Sequence, residues 1–133
     1  MAETIRVSNL VLARPEQIYD AWMSSGGHSA MTGSDAEVEP RVGGAFSAWD
    51  GYITGRTLEL DRPRRIVQAW RTSEFPSDAP DSLLVVTLTP TTEGTNVEIQ
   101  HSEIPDGQGA RYRQGWEEFY FMPMKDHFEE EGE

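Results

Sequence analysis

Two-residue alternation of apolar and polar positions dominates the first hundred residues. Ile5, Val7, Asn9 and Val11 interleave with Arg6, Ser8, Leu10 and Leu12, which predicts an opening strand with one buried face. Arg14-Pro15-Glu16 stops that strand, and Pro15 suits the first turn of a helix whose apolar stripe is Ile18, Ala21 and Trp22. Between residues 23 and 33 glycines and serines interrupt any long helical period, so a short or broken second helix is expected, with His28 on its exposed rim. Strands are then predicted over residues 36–40, 45–50, 52–60, 65–72, 83–89 and 95–103. Asp50-Gly51 marks a tight hairpin, because both residues tolerate the positive backbone angles of a primed turn. The loop over residues 73–81, with Pro76 and Pro80, is long enough to overhang a pocket mouth.

After Pro105-Asp106-Gly107 the period changes from two to nearly four. Trp116, Tyr120 and Met124 recur every four residues, with Phe119 beside them and Phe128 one turn on, which predicts a long helix starting between residues 109 and 113. These side chains are expected on its sheet-facing side. Pro123 removes a hydrogen bond to the carbonyl of Phe119 and predicts a bend or a locally weakened turn. The elements sum to an α+β fold, in the order β-α-α-β6-α: a curved antiparallel sheet of about seven strands wrapped around a long C-terminal helix.

At 133 residues the chain is expected to form one domain, over residues 1–128, with an acidic tail over 129–133. Folding at this size buries roughly 65 to 70 % of the unfolded surface, enough for a real core. Cysteine is absent, which excludes disulfides, thiolate nucleophiles and cysteine-held metals. The 23 acidic against 11 basic residues give a net charge of −12, which makes nucleic acid and anionic membrane surfaces poor partners. No apolar run approaches the ~20 residues that span a bilayer, and Met1-Ala2-Glu3-Thr4 is unlike a secretion signal. A cytoplasmic protein without membrane insertion is expected.

A sheet curled round one helix leaves an end where side chains cannot all interdigitate, and such a cleft is a natural ligand site. Trp49, Tyr52, Trp70, Trp116 and Tyr120 are candidates for its walls as well as for plain core. Alternation puts His101 on the buried face with Val97 and Ile99, where it serves either as a packed ring or as a polar group in the pocket. Arg56 is a candidate anion anchor under the helix, against a surface ion pair. His28, His101 and His127 have no metal-binding spacing, so no metal or other cofactor is expected. Gly43-Gly44 lacks the Lys-Ser or Lys-Thr pair of a phosphate cradle. No catalytic set is visible.

An ordered series of motifs carries a family resemblance. These are residues 13–22 (ARPEQIYDAW), 41–46 (RVGGAF), 51–55 (GYITG), 63–70 (PRRIVQAW), and His101-Ser102-Glu103-Ile104-Pro105 leading to Gly115-Trp116. With them the chain resembles the START-like (SRPBCC) helix-grip superfamily, and within it the family similar to the C-terminal domain of the activator of the heat-shock protein 90 ATPase. The resemblance implies a strand, two helices, six strands and a long last helix, with a hydrophobic cavity between that helix and the sheet. It implies a small hydrophobic ligand or contact with a chaperone, and supplies no universal catalytic residue. Because it covers only the activator's C-terminal domain, full chaperone stimulation is not expected. Three functions compete on these grounds: a non-enzymatic carrier or sensor, a chaperone-interacting adaptor, and an enzyme acting on a hydrophobic or polyketide-like substrate. The residues do not select between monomer and homodimer.

Overall fold

Strict alternation along Thr95–Ile104 buries Thr95, Val97, Ile99 and His101 while Asn96, Glu98, Gln100 and Ser102 stay half-exposed. That strand is β7 of the computed structural model, which describes residues 2–131. The chain runs β1 (Glu3–Val11), α1 (Pro15–Trp22), α2 (Ser25–Thr32), β2 (Glu37–Val38), β3 (Ala45–Ala48), β4 (Ile53–Asp61), β5 (Arg65–Thr72), β6 (Ser82–Pro90) and β7. It ends in one nearly continuous helix of three parts: α3 (Gly109–Gly115), a π-helical segment (Trp116–Phe121) and α4 (Met122–Glu131). The strands form one antiparallel sheet in the order β1-β7-β6-β5-β4-β3-β2. This is the helix-grip arrangement. The run of acidic residues expected as a tail enters α4 as far as Glu131, and the last two positions lie outside the described residues.

The predicted hairpin joins β3 to β4, with Ala48 opposite Ile53. Asp50 (φ 57°) and Gly51 (φ 87°) occupy its centre, and the Tyr52 N–H closes it on the Trp49 carbonyl at 3.1 Å. Trp49 is itself left-handed (φ 54°), so three successive residues turn the chain sharply there. At Gly55, opposite Trp70, a Cβ would stand 2.0 Å from the Ala69 carbonyl oxygen and 2.6 Å from the Phe46 ring, so only glycine lets these strands close up.

The core lies between the concave face of the sheet and the helices. Ile18 and Trp22 of α1, Leu84, Val86 and Leu88 of β6, Val97 and Ile99 of β7, and Met124 and Phe128 of α4 are buried within one cluster. In the terminal helix the buried series is Tyr112, Trp116, Tyr120, Met124 and Phe128, with Phe121 added. Phe119 departs from the expectation: it is 52 % exposed. The wider π turn brings Tyr120 and Phe121 inward together and leaves Phe119 outside the core. The winding change ends immediately before Pro123, and the Met122 N–H reaches the Glu117 carbonyl five residues back. A proline that cannot donate to Phe119 thus follows a rewound turn.

Two polar ties hold this helix on the sheet edge. The Glu3 carboxylate accepts from the N–H groups of Gly107 (3.0 Å) and Gly109 (2.7 Å), and those donors hold its pKa below the usual value. Asn9 donates to Glu117 and accepts from Lys125, each at 2.6 Å, bridging β1 to the helix.

Candidate ligand cavity

The end of the sheet under α3 and the π segment is not filled. A cavity of about 370 Å³ lies there, lined from the sheet by Trp49, Tyr52, Ile53 and Trp70 and from the helix by Arg111, Tyr112, Gly115, Trp116, Phe119 and Tyr120. Its walls are aromatic faces. Trp70 and Trp116 have centroids 5.5 Å apart, Trp70 and Tyr112 meet edge-on at 5.2 Å, and Trp116 and Tyr120 lie 4.8 Å apart. Gly115 leaves the helix side open, since a Cβ there would meet nothing nearer than the Phe119 ring at 3.9 Å. Trp49 packs its edge on Phe119 at 5.4 Å, and its buried Nε1 has no hydrogen-bond partner among the described residues. An unpaired buried donor of this kind costs about 1–3 kcal/mol.

Behind the aromatic wall stands a fully buried polar chain. Trp116 Nε1, a donor only, gives its hydrogen to His101 Nδ1 at 3.1 Å, which places the imidazole proton on Nε2. His101 Nε2–H then donates to Ser82 Oγ at 2.8 Å, and Ser82 Oγ–H donates to the Trp70 carbonyl at 2.6 Å. Burial pushes the His101 pKa down to about 3, so the ring is neutral. A serine beside a histidine suggests a nucleophile and its base, but the direction of the chain forbids that reading: His101 gives a hydrogen to Ser82 and has no free lone pair to take one. Among the described residues no cluster of three or more His, Asp or Glu side chains is placed to hold a metal.

A second histidine holds the other wall residue. His28 Nδ1–H donates to the Trp22 carbonyl at 3.0 Å, leaving Nε2 to accept from the Tyr120 hydroxyl at 2.8 Å. The expectation of a surface His28 is therefore corrected. Only 3 % of the residue is exposed, because α2 packs it edge-on against Trp22 and Tyr120. Burial lowers the His28 pKa and raises that of Tyr120. Trp22 Nε1 in turn donates to Gln68 Oε1 at 3.3 Å, and Gln68 Nε2 to Thr57 Oγ1 at 3.2 Å.

The rim is polar. Glu74, on the loop after β5, accepts from the Tyr52 hydroxyl and from Arg111, joining β4 to α3 across the opening. Burial and the Glu74 carboxylate push the Tyr52 pKa up to about 12. Behind Tyr52, the Tyr112 hydroxyl bonds Thr72 Oγ1 and Gln108 Oε1, both at 2.7 Å. Phe75 of the same loop is buried against Trp70 and Tyr112 at centroid distances of 6.2 and 5.9 Å. None of residues 73–81, the loop expected to overhang a pocket mouth, lines the cavity itself; the loop meets the lining residues Tyr52 and Arg111 through Glu74.

Of the seven residues proposed from sequence, Trp49, Tyr52, Trp70, Trp116 and Tyr120 meet at the cavity. Two do not. Arg56 is exposed on β4, because alternation from buried Ile53 and Thr57 turns it to the outer face, away from the helix. His101 lies on the predicted face but behind Trp70 and Trp116, with both ring nitrogens occupied.

A family model described as activator of Hsp90 ATPase homolog 1-like protein matches residues 12–129. The chain belongs to this family. The human activator of 90 kDa heat shock protein ATPase homolog 1 is 27 % identical over 124 residues, which are 93 % of this chain and 36 % of that protein. The Dictyostelium discoideum activator homolog is 30 % identical over 117 residues, 86 % of this chain and 30 % of that one. The chain thus spans about a third of the length of the curated relatives it matches. Among solved structures, an HSP90 activator from Plasmodium falciparum superposes with a TM-score of 0.83 at 23 % identity, over 92 % of this chain and 94 % of that one. The Aha1 dimer from Colwellia psychrerythraea gives 0.79 at 18 % identity, over 95 % and 96 %. Both likenesses concern the fold.

Family membership does not select the cavity residues, and Ile53, Arg111, Tyr112, Gly115 and Phe119 line the cavity without being among the seven expected from sequence. A signal existed for Tyr112, since the four-residue series of Trp116 and Tyr120 extends one step back to it. None existed for Glu74 and Arg111, whose meeting depends on how the loop after β5 lies against α3.

Proposed function

We propose that the protein binds a small, largely apolar molecule in the cavity between the sheet and the terminal helix and carries out no chemistry on it. The observation that carries this reading is the unfilled space of about 370 Å³ bounded by aromatic rings between the sheet and the terminal helix. Burying apolar ligand surface there contributes roughly 25 cal/mol per Å², before the entropy lost on association. The seven sequence-selected residues divide accordingly: Trp49, Tyr52, Trp70, Trp116 and Tyr120 contact the ligand, His101 holds the wall from behind, and Arg56 has no part. The domain of residues 1–128 is the binding unit, acting in the cytoplasm as a monomer or homodimer. Native mass spectrometry of gently purified protein tests this directly. A retained small molecule, lost on denaturation, is the expected result; no retained mass, with no uptake from a diverse hydrophobic library, overturns it.

A second reading rests on family membership. The relatives named as activators of the heat-shock protein 90 ATPase make a chaperone the partner to try, with this domain acting as an adaptor. Retention of the chaperone on immobilised protein at low and moderate salt supports the adaptor role, and absence at low salt removes it.

A further inference from the structure

Two lining residues of the cavity with polar ends, Tyr52 and Arg111, are both engaged by the same carboxylate, that of Glu74. A phenol hydroxyl from the sheet and a guanidinium from the helix converge there on one acidic group, the arrangement that recognises a carboxylate by charge-assisted hydrogen bonds. The Glu74 side chain is bound at the rim rather than built into the core: it is 44 % exposed, and Arg111 is 52 % exposed. Its backbone is fixed separately, by Gln108 Nε2 on the Glu74 carbonyl at 3.1 Å and by the Glu74 N–H on Thr72 Oγ1 at 3.1 Å. The loop beyond it is held by Arg71, which reaches the Ala79 carbonyl, the Pro76 carbonyl and Asp81. Rotating the Glu74 side chain into solvent therefore frees the hydroxyl and the guanidinium without moving the loop.

Resting on the ligand-binding reading above, we infer that the cavity takes a planar aromatic carboxylate, and that Glu74 occupies the place of the ligand's acid group until the ligand displaces it. The ring system lies between the aromatic walls, and its carboxylate takes the hydrogen bonds from Tyr52 and Arg111. The chain's net charge of −12 opposes anions at long range, so this preference comes from the local pair and is measured at physiological salt.

The test titrates 2-naphthoate and its neutral isostere 2-naphthamide into the wild-type protein, Glu74→Gln and Arg111→Gln, following tryptophan fluorescence. Wild type is expected to bind the acid about tenfold more tightly than the amide. Glu74→Gln removes the internal competitor and tightens the acid a further threefold or more, and the amide by less. Arg111→Gln brings the acid down to the level of the amide. Equal binding of acid and amide in wild type, or an acid affinity that Glu74→Gln leaves unmoved, overturns the carboxylate inference while the cavity reading stands. Failure of both probes to bind any of the three proteins overturns the planar aromatic carboxylate, and the cavity reading is then decided by native mass spectrometry and the hydrophobic library.

Discussion

Trp116 Nε1 donates to His101 Nδ1 across 3.1 Å, and this one contact sets the chemistry of the whole buried side of the cavity. Because an indole can only donate, the imidazole must accept at Nδ1 and carry its proton on Nε2. The proton order then runs one way, from Trp116 through His101 and Ser82 to the Trp70 carbonyl. The two tryptophans that face each other across the cavity wall are the two ends of that chain. The histidine is a positioning group for the aromatic wall.

Removing the ring leaves Trp116 Nε1 and Ser82 Oγ short of partners and a hole where the imidazole was. His101→Ala should lower unfolding stability by roughly 3 kcal/mol, combining an unsatisfied donor with a cavity term. Ser82→Ala deletes a smaller group and should cost about 1 kcal/mol. Urea denaturation of both variants checks the order, and a larger loss for Ser82→Ala contradicts the chain as described.

Acid should destabilise the fold well before its carboxylates protonate. In the unfolded chain His28 and His101 take up protons as pH falls through about 6.5, whereas burial lowers the pKa of both in the fold, that of His101 to about 3. The unfolded state then binds more protons than the native one, so stability is complete above pH 6.5 and falls as the solution is acidified. The limiting slope for each histidine is about 1.4 kcal/mol per pH unit. Glu3, Asp20 and Glu39, whose pKa values are also lowered, add their loss only at lower pH, near the ordinary carboxylate range and below. Urea midpoints measured from pH 7 to pH 5 should therefore drop, and His101→Leu should flatten the drop relative to wild type. A flat wild-type profile across that window contradicts neutral, buried histidines.

How much of this was legible in the sequence depends on the period of each element. The strands were read to within a few residues because alternation such as Val97, Ile99 and His101 survives into the fold unchanged. The terminal helix is legible through Trp116, Tyr120 and Met124, yet Phe119, expected to pack with them, stands half-exposed at the cavity against Trp49, because an α-helical period does not anticipate the π turn. His28 was misplaced for a different reason: its burial depends on Tyr120, 92 residues away, supplying a hydroxyl. Arg56 illustrates the same limit at the site, since residue type suggested an anchor where strand parity turns the side chain outward. The rim latch of Tyr52, Glu74 and Arg111 joins three separate segments and leaves no local pattern to read.

Asn9 is a polar residue on a strand face otherwise used for packing, and the structure explains it by its two bonds to the terminal helix. Its partners are charged but partly solvated, so the bridge is worth less than a buried pair. Asn9→Ala should cost about 1 kcal/mol. It should also raise amide hydrogen exchange in the π segment and α4 more than in the central strands β5 and β6. Uniform acceleration across the sheet contradicts a tie local to the helix.

Gly115 separates the binding reading from stability. A glycine inside a helix costs about 1 kcal/mol relative to alanine, and here a Cβ would meet no atom closer than 3.9 Å. Gly115→Ala should therefore raise unfolding stability by up to about 1 kcal/mol. Gly115→Leu should keep the fold but intrude on the space that Trp70, Trp116 and Phe119 enclose. Circular dichroism and urea unfolding should show a folded protein of near wild-type stability, while 2-naphthamide binding weakens at least tenfold. Binding falls while stability holds only if the glycine keeps space open for a ligand. A Gly115→Leu protein that binds as tightly as wild type places the ligand elsewhere.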